Sequence, residues 1–157
     1  MARAFFITGT DTSVGKTFVS TLIARTLKAS GISVGVMKPV ETGCAEAGGS
    51  LVPVDAVALK EASGSGDPLD LINPYRFAPS LAPNVAARLS GVEIDLIRIE
   101  TAFKTLSAIH EIILVEGAGG LLVPLNGGYT MADVALRLDM RLLVVAASKL
   151  GGINHAI

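Results

Sequence analysis

Tryptophan is absent from the 157-residue chain and aromatic residues make up only 4% of it, although half of all residues are hydrophobic. A core of that composition is built from Val, Ile, Leu and Ala, as in strands covered by helices on both faces. The single cysteine, Cys44, excludes an intramolecular disulfide and a multi-cysteine metal site. An excess of one charge is also lacking: 13 Lys and Arg stand against 14 Asp and Glu, for a formal charge of −1. Neither a basic nucleic-acid face nor a membrane-surface patch is implied, which directs attention to a small-molecule site. No run approaches the ~20 apolar residues of a membrane-spanning helix. Met1-Ala2-Arg3 leads almost at once into a strand, with no leader pattern, so a cytosolic protein is expected. The length suits one domain, 1–157, and there is no internal repeat.

What is present alternates strand with helix, the pattern of an α/β domain with a mainly parallel sheet. Strands are predicted at 4–7, 33–37, 111–115 and 141–147. Helices are predicted at 18–29, 54–62, 84–89, 95–108 and 131–138. In the helix at 95–108, Leu96, Ile99, Phe103 and Leu106 recur at spacings of three and four, which marks a core-facing stripe. Residues 41–50 read as a glycine-containing loop. Residues 64–83, with prolines at 68, 74, 79 and 83, read as an irregular excursion. Residues 153–157 look like the first turn of an unfinished helix, so an incomplete chain is expected.

The richest stretch is Gly9-Thr-Asp-Thr-Ser-Val-Gly-Lys-Thr17. An apolar strand precedes it and a helix follows, an order that turns backbone N–H groups and a helix N-terminus toward a polyphosphate. Lys16 would reach the β- and γ-phosphates as a point charge, and the Thr17 hydroxyl would ligate Mg²⁺. Five residues separate Gly9 from Gly15 where four are usual. Glu116 closes an apolar strand and opens into Gly117-Ala118-Gly119-Gly120. Its carboxylate suits a Mg²⁺ contact, direct or through water, with a solvated strand-end glutamate as the alternative. Asp55 reads as a helix N-cap on its own, and as a Mg²⁺ ligand if it lies opposite Lys16 and Thr17. Lys38 follows a strand and precedes Pro39, which fixes its direction; a surface lysine is the bland alternative. Gly151, Gly152, Ile153 and Asn154 repeat the strand–glycine–helix order and offer N–H groups to a carboxylate. His110, His155 and Cys44 are given no ligand role.

Together these segments resemble the dethiobiotin synthetase family, which closes the ureido ring of biotin at the expense of ATP. The resemblance rests on residues 8–17, Lys38-Pro39-Val40, Asn73-Pro74-Tyr75, Val115-Glu116-Gly117-Ala118-Gly119-Gly120, Lys149-Leu150-Gly151 and Ile153-Asn154-His155-Ala156, in the family's order. It implies a three-layer, P-loop NTPase-like fold whose C-terminal part lies beyond residue 157. It also implies the substrates ATP, CO₂ and 7,8-diaminopelargonate, with Mg²⁺ as cofactor. By resemblance, Lys16, Lys38 and Thr12 act in catalysis. Thr12, Ser13, Val14, Gly15, Lys16 and Thr17 meet the nucleotide, joined by Glu116 and Gly119. Thr17, Asp55 and Glu116 surround the metal. Thr12, Lys38 and Thr42 line the diamine site, while Gly151, Ile153 and Asn154 grip the substrate carboxylate from the neighbouring subunit of a homodimer. Two departures stand out: Ser13 occupies a position where the family often has an acidic residue, and Thr42 one where it often has Ser.

Three rival readings share the phosphate loop. A partitioning-type ATPase usually carries an extra lysine early in the loop, where this chain has Thr10-Asp11-Thr12. A non-catalytic or regulatory domain of the same fold would be free to lose the Mg²⁺ ligands, which are kept. A cobyrinate-type amidotransferase domain would need a glutaminase, and Cys44 has no such context.

Overall fold

The computed structural model describes residues 2–148 of the chain. β1 (Arg3–Gly9) leads through the glycine loop into α1 (Lys16–Ala29). β2 (Val34–Met37) is followed by β3 (Val40–Thr42) and a small hairpin of β4 (Ala45–Ala47) and β5 (Ser50–Val52). Then come α2 (Val54–Ser63), α3 (Leu69–Ile72), β6 (Tyr75–Phe77), α4 (Pro83–Leu89) and α5 (Leu96–Ser107). β7 (Ile112–Glu116), a second hairpin of β8 (Pro124–Asn126) and β9 (Tyr129–Thr130), α6 (Met131–Arg137) and β10 (Arg141–Val145) complete the described chain.

Four of these strands form the central sheet in the order β10-β1-β7-β2, every pair parallel. Residues alternate between its faces, as the period of a strand demands. Phe6, Met37, Ile113 and Val115 enter an apolar cluster with α4, α5 and α6. Ile7, Val34, Val36 and Leu114 enter a second cluster on the other face, with α1 and α2. This is helix, sheet, helix: three layers, as expected. The α5 stripe is buried at Leu96, Ile99, Ala102, Phe103 and Leu106. The Asp95 side chain caps that helix, accepting from the Ile97 N–H at 2.8 Å.

The parallel register carries the consequence for function. Ile7 pairs with Glu116, Met37 with Val115 and Gly9 with Val145. The C-terminal ends of β1, β2 and β7 therefore lie side by side, and the chain leaves each toward the same edge. In open parallel sheets that edge is where ligands bind.

The structure differs from the sequence reading between the main elements. The expected loop at 41–50 contains most of β3, all of β4 and the start of β5, and the excursion at 64–83 holds α3 and β6. β3 and β6 pair in parallel as a separate two-stranded sheet, with Val40 opposite Tyr75. These strands are three residues long, too short for periodicity to register.

Candidate active site

The phosphate loop is a consequence of one left-handed residue. Gly15 takes φ +98° and ψ 24°, a conformation that side-chain-bearing residues rarely adopt, and α1 begins immediately after it at Lys16. No side chain caps α1, so its first N–H groups lie open toward the loop. Ser13 also takes positive φ, at 56°. The Lys16 ammonium folds back to donate to the Asp11 carbonyl at 3.2 Å, which holds it across the loop. On the opposite wall, Gly117 follows Glu116 where a Cβ would come within 2.8 Å of the Phe6 ring. Only glycine lets the chain pass there.

A cleft of about 400 Å³ opens over this loop. Thr12, Ser13, Gly15, Lys16 and Thr17 form one wall, Lys38, Glu41, Thr42 and Asp55 a second, and Glu116, Ala118 and Gly119 a third. Every described residue expected at the site lines it except Val14. That side chain turns inward and packs against the apolar cluster of α1 and α2. Gly151, Ile153 and Asn154 lie outside the described residues.

The charged groups form one connected network. The Lys38 ammonium donates to Glu116 Oε1 at 2.6 Å and to Asp55 Oδ2 at 2.9 Å. Thr17 Oγ1 donates to the same Glu116 Oε1 at 2.8 Å. Lys38 is no surface lysine: it is 4% exposed, and Glu116 is fully buried. Its main chain is fixed as well, because Lys38 N–H donates to the Ile72 carbonyl and Asn73 Nδ2 donates to the Lys38 carbonyl at 2.7 Å. Asn73 thus has a structural reason to be where it is.

Electrostatics follow from this packing. Burial alone would lower the Lys38 pKa, but the carboxylates of Glu116 and Asp55 outweigh it and hold the group above its ordinary value. Burial would raise Asp55, yet the Lys38 charge and hydrogen bond bring it below the usual carboxylate value. Lys16 is lowered, first by burial and then by the neighbouring Lys38. Two cations and two carboxylates thus share one edge of the sheet.

Asp55 is not the cap of α2. That helix starts at Val54 after Pro53, with no side-chain bond from the cap position. Its open N–H groups are taken instead by Glu41, whose Oε1 accepts from Asp55 N–H at 2.9 Å and Oε2 from Ala56 N–H at 3.0 Å. Sequence reasoning missed Glu41, and no local pattern marks it, since its partners lie fourteen and fifteen residues away.

The donor set fits a hard divalent cation held together with phosphate. Glu116 Oε2 is buried and has no hydrogen-bond partner, and Thr17 and Asp55 flank the same carboxylate. No cluster of three or more His, Cys, Asp or Glu occurs among the described residues. A dedicated protein cage is thus lacking there, whereas Mg²⁺ in phosphate chemistry uses one or two carboxylates and takes its other oxygens from substrate and water.

Comparison with known proteins agrees with this geometry. A family model described as "AAA domain" matches residues 3–157. The "ATP-dependent dethiobiotin synthetase BioD" of Anaeromyxobacter dehalogenans (strain 2CP-C) is 48% identical over 153 residues, covering 98% of this chain and 67% of that protein. Proteins of the same name from Thermodesulfovibrio yellowstonii and Methanocaldococcus jannaschii are each 41% identical, over 100% and 97% of this chain and 68% and 69% of theirs. Among solved structures, signal recognition particle receptor FtsY from Elizabethkingia anophelis is similar at a TM-score of 0.49 and 16% identity, over 99% of this chain and 46% of that one. A likeness that loose carries no functional argument. The chain belongs to the ATP-dependent dethiobiotin synthetase family and has its P-loop NTPase-like fold.

Proposed function

We propose that this chain, as one nucleotide-binding domain, catalyses the cyclisation named for its relatives, using ATP to close a cyclic urea on 7,8-diaminopelargonate and CO₂. The observation that carries the reading is the meeting of Lys16, Lys38, Asp55 and Glu116 at one edge of the sheet, beside an open phosphate loop. One amine of the substrate takes up CO₂ as a carbamate and releases a proton. A carbamate oxygen then attacks the γ-phosphorus of ATP, giving a carbamic–phosphoric anhydride and ADP. The second amine attacks the carbonyl carbon, phosphate departs, a further proton is lost and the ring is closed. A carbamate oxygen leaves poorly until phosphorylated, so the protein's task is to position groups and offset charge.

Each role follows from a position in the cleft. The loop N–H groups from Thr12 to Gly15 and the start of α1 receive the phosphates. Lys16, tethered across the loop, faces the transferring phosphoryl group. Lys38 sits where carbamate and γ-phosphate would meet. Mg²⁺ would be held by Thr17, Asp55 and Glu116, and when bound it would supply charge neutralisation for the phosphates. Thr12 and Thr42 border the space left for the diamine, and Gly119 the nucleotide side. Gly151, Ile153 and Asn154 are assigned to the substrate carboxylate from a second subunit, which makes the working unit a homodimer. A cytosolic location belongs to the same reading. Among the described residues no helix is long and apolar enough to cross a membrane.

ADP release measured with and without the diamine tests this reading against its rivals. Release that requires both diamine and bicarbonate supports the synthetase. Release that ignores them contradicts it and favours a partitioning-type ATPase, and no release under any condition favours a regulatory domain.

A further inference from the structure

Glu41 is the one buried carboxylate at the site that the proposed reaction leaves without a role. It is 7% exposed and sits on β3, three residues beyond Lys38. Both of its oxygens are committed to the first turn of α2. A helix normally has its first N–H groups satisfied by its own cap residue, and Pro53 offers no side chain for that purpose. Ala56, whose N–H is one of the two, is fully buried and has no access to water as a substitute.

Resting on the reading of Asp55 as a cation ligand, we propose that Glu41 is a positioning residue that fixes Asp55 for the metal. Glu41 grips the main chain of Asp55, while Lys38 engages its side chain. One short segment, Lys38 to Glu41, therefore holds Asp55 from two sides. Asp55 is half-buried and lies at the second position of a helix, where fraying would swing its carboxylate out of the cleft. Partners of this kind, which orient a ligand without touching the metal, typically change metal affinity about 10- to 100-fold when removed.

The test is calorimetric binding of ADP to the 157-residue chain, with and without Mg²⁺. The ratio of the two affinities is the metal's contribution. Glu41→Ala should lower that ratio about 10-fold. Because Glu41 works through Asp55, Glu41→Ala in an Asp55→Ala background should lower it no further. Glu41→Gln, which keeps the volume and one acceptor, should fall between, and it decides the matter if Glu41→Ala does not fold. A ratio unchanged in the Glu41 variants, or lowered equally with and without Asp55, overturns the inference. If Asp55→Ala itself leaves the ratio unchanged, the metal assignment of Asp55 fails and takes this inference with it. If only the Glu41 variants are unchanged, the inference fails alone.

Discussion

Lys38 and Glu116 form an ion pair in which Nζ and Oε1 stand 2.6 Å apart, with both side chains almost wholly buried. Removing one member of such a pair leaves the other a buried charge without its main partner, at a cost of about 3–5 kcal/mol. Lys38→Met should therefore destabilise the protein by that order, measured by urea unfolding. Adding Glu116→Gln should restore most of the loss, because the stranded charge is gone. A double variant as unstable as the single would contradict the pair's energetic role.

The second carboxylate of the network gives a pH signature. Asp55 is held below its ordinary value of 3.8, so its contribution to stability is present above that value and disappears as pH falls through its lower, folded one. Lys38 is held above its ordinary 10.5, so its contribution is full below that and is lost as pH rises through the folded value. The stability difference between the unaltered protein and Asp55→Asn should be constant across neutral pH. It should close only below the ordinary carboxylate value; closure near neutrality would contradict the pairing.

Lys16 separates chemistry from folding. Its charge is disfavoured by burial and by Lys38, so the fold gains little from it. Lys16→Ala should reduce turnover at least about 100-fold, the order lost with one preorganised transition-state donor. Its thermal unfolding should stay near that of the unaltered protein. Full activity in this variant would remove the phosphate-loop assignment.

If the carboxylate of the substrate is gripped across subunits, two different defects can complement. A Lys38 variant mixed with an Asn154 variant should regain some activity, because a mixed dimer contains one intact site. Absence of any recovery would favour sites built within a single subunit.

Much of this was legible in the sequence because strand, glycine loop and helix each leave a local mark. The apolar runs of β1, β7 and β10, the α5 stripe, Lys16 and Thr17 at the start of α1, and Glu116 at the end of β7 all read from neighbours within a few residues. What escaped depends on distance along the chain. Nothing near Lys38 announces that Glu116, seventy-eight residues on, buries it. Nothing near Glu41 announces that it caps a helix for which Pro53 cannot. The small hairpin around Gly48 and Gly49, both at positive φ, has a turn signal but three-residue strands too short to show alternation. Val14 shows the limit of a motif as a guide to side chains: its side chain packs beneath the loop, which leaves only its main chain to face the cleft.

The most direct measurement incubates the protein with ATP, Mg²⁺, labelled bicarbonate and 7,8-diaminopelargonate, and counts label that survives acid. Carbamates lose CO₂ in acid, whereas a cyclic urea keeps it. Acid-stable label that requires both ATP and diamine is the predicted result. ATP consumed in the presence of diamine with no acid-stable label would contradict the account.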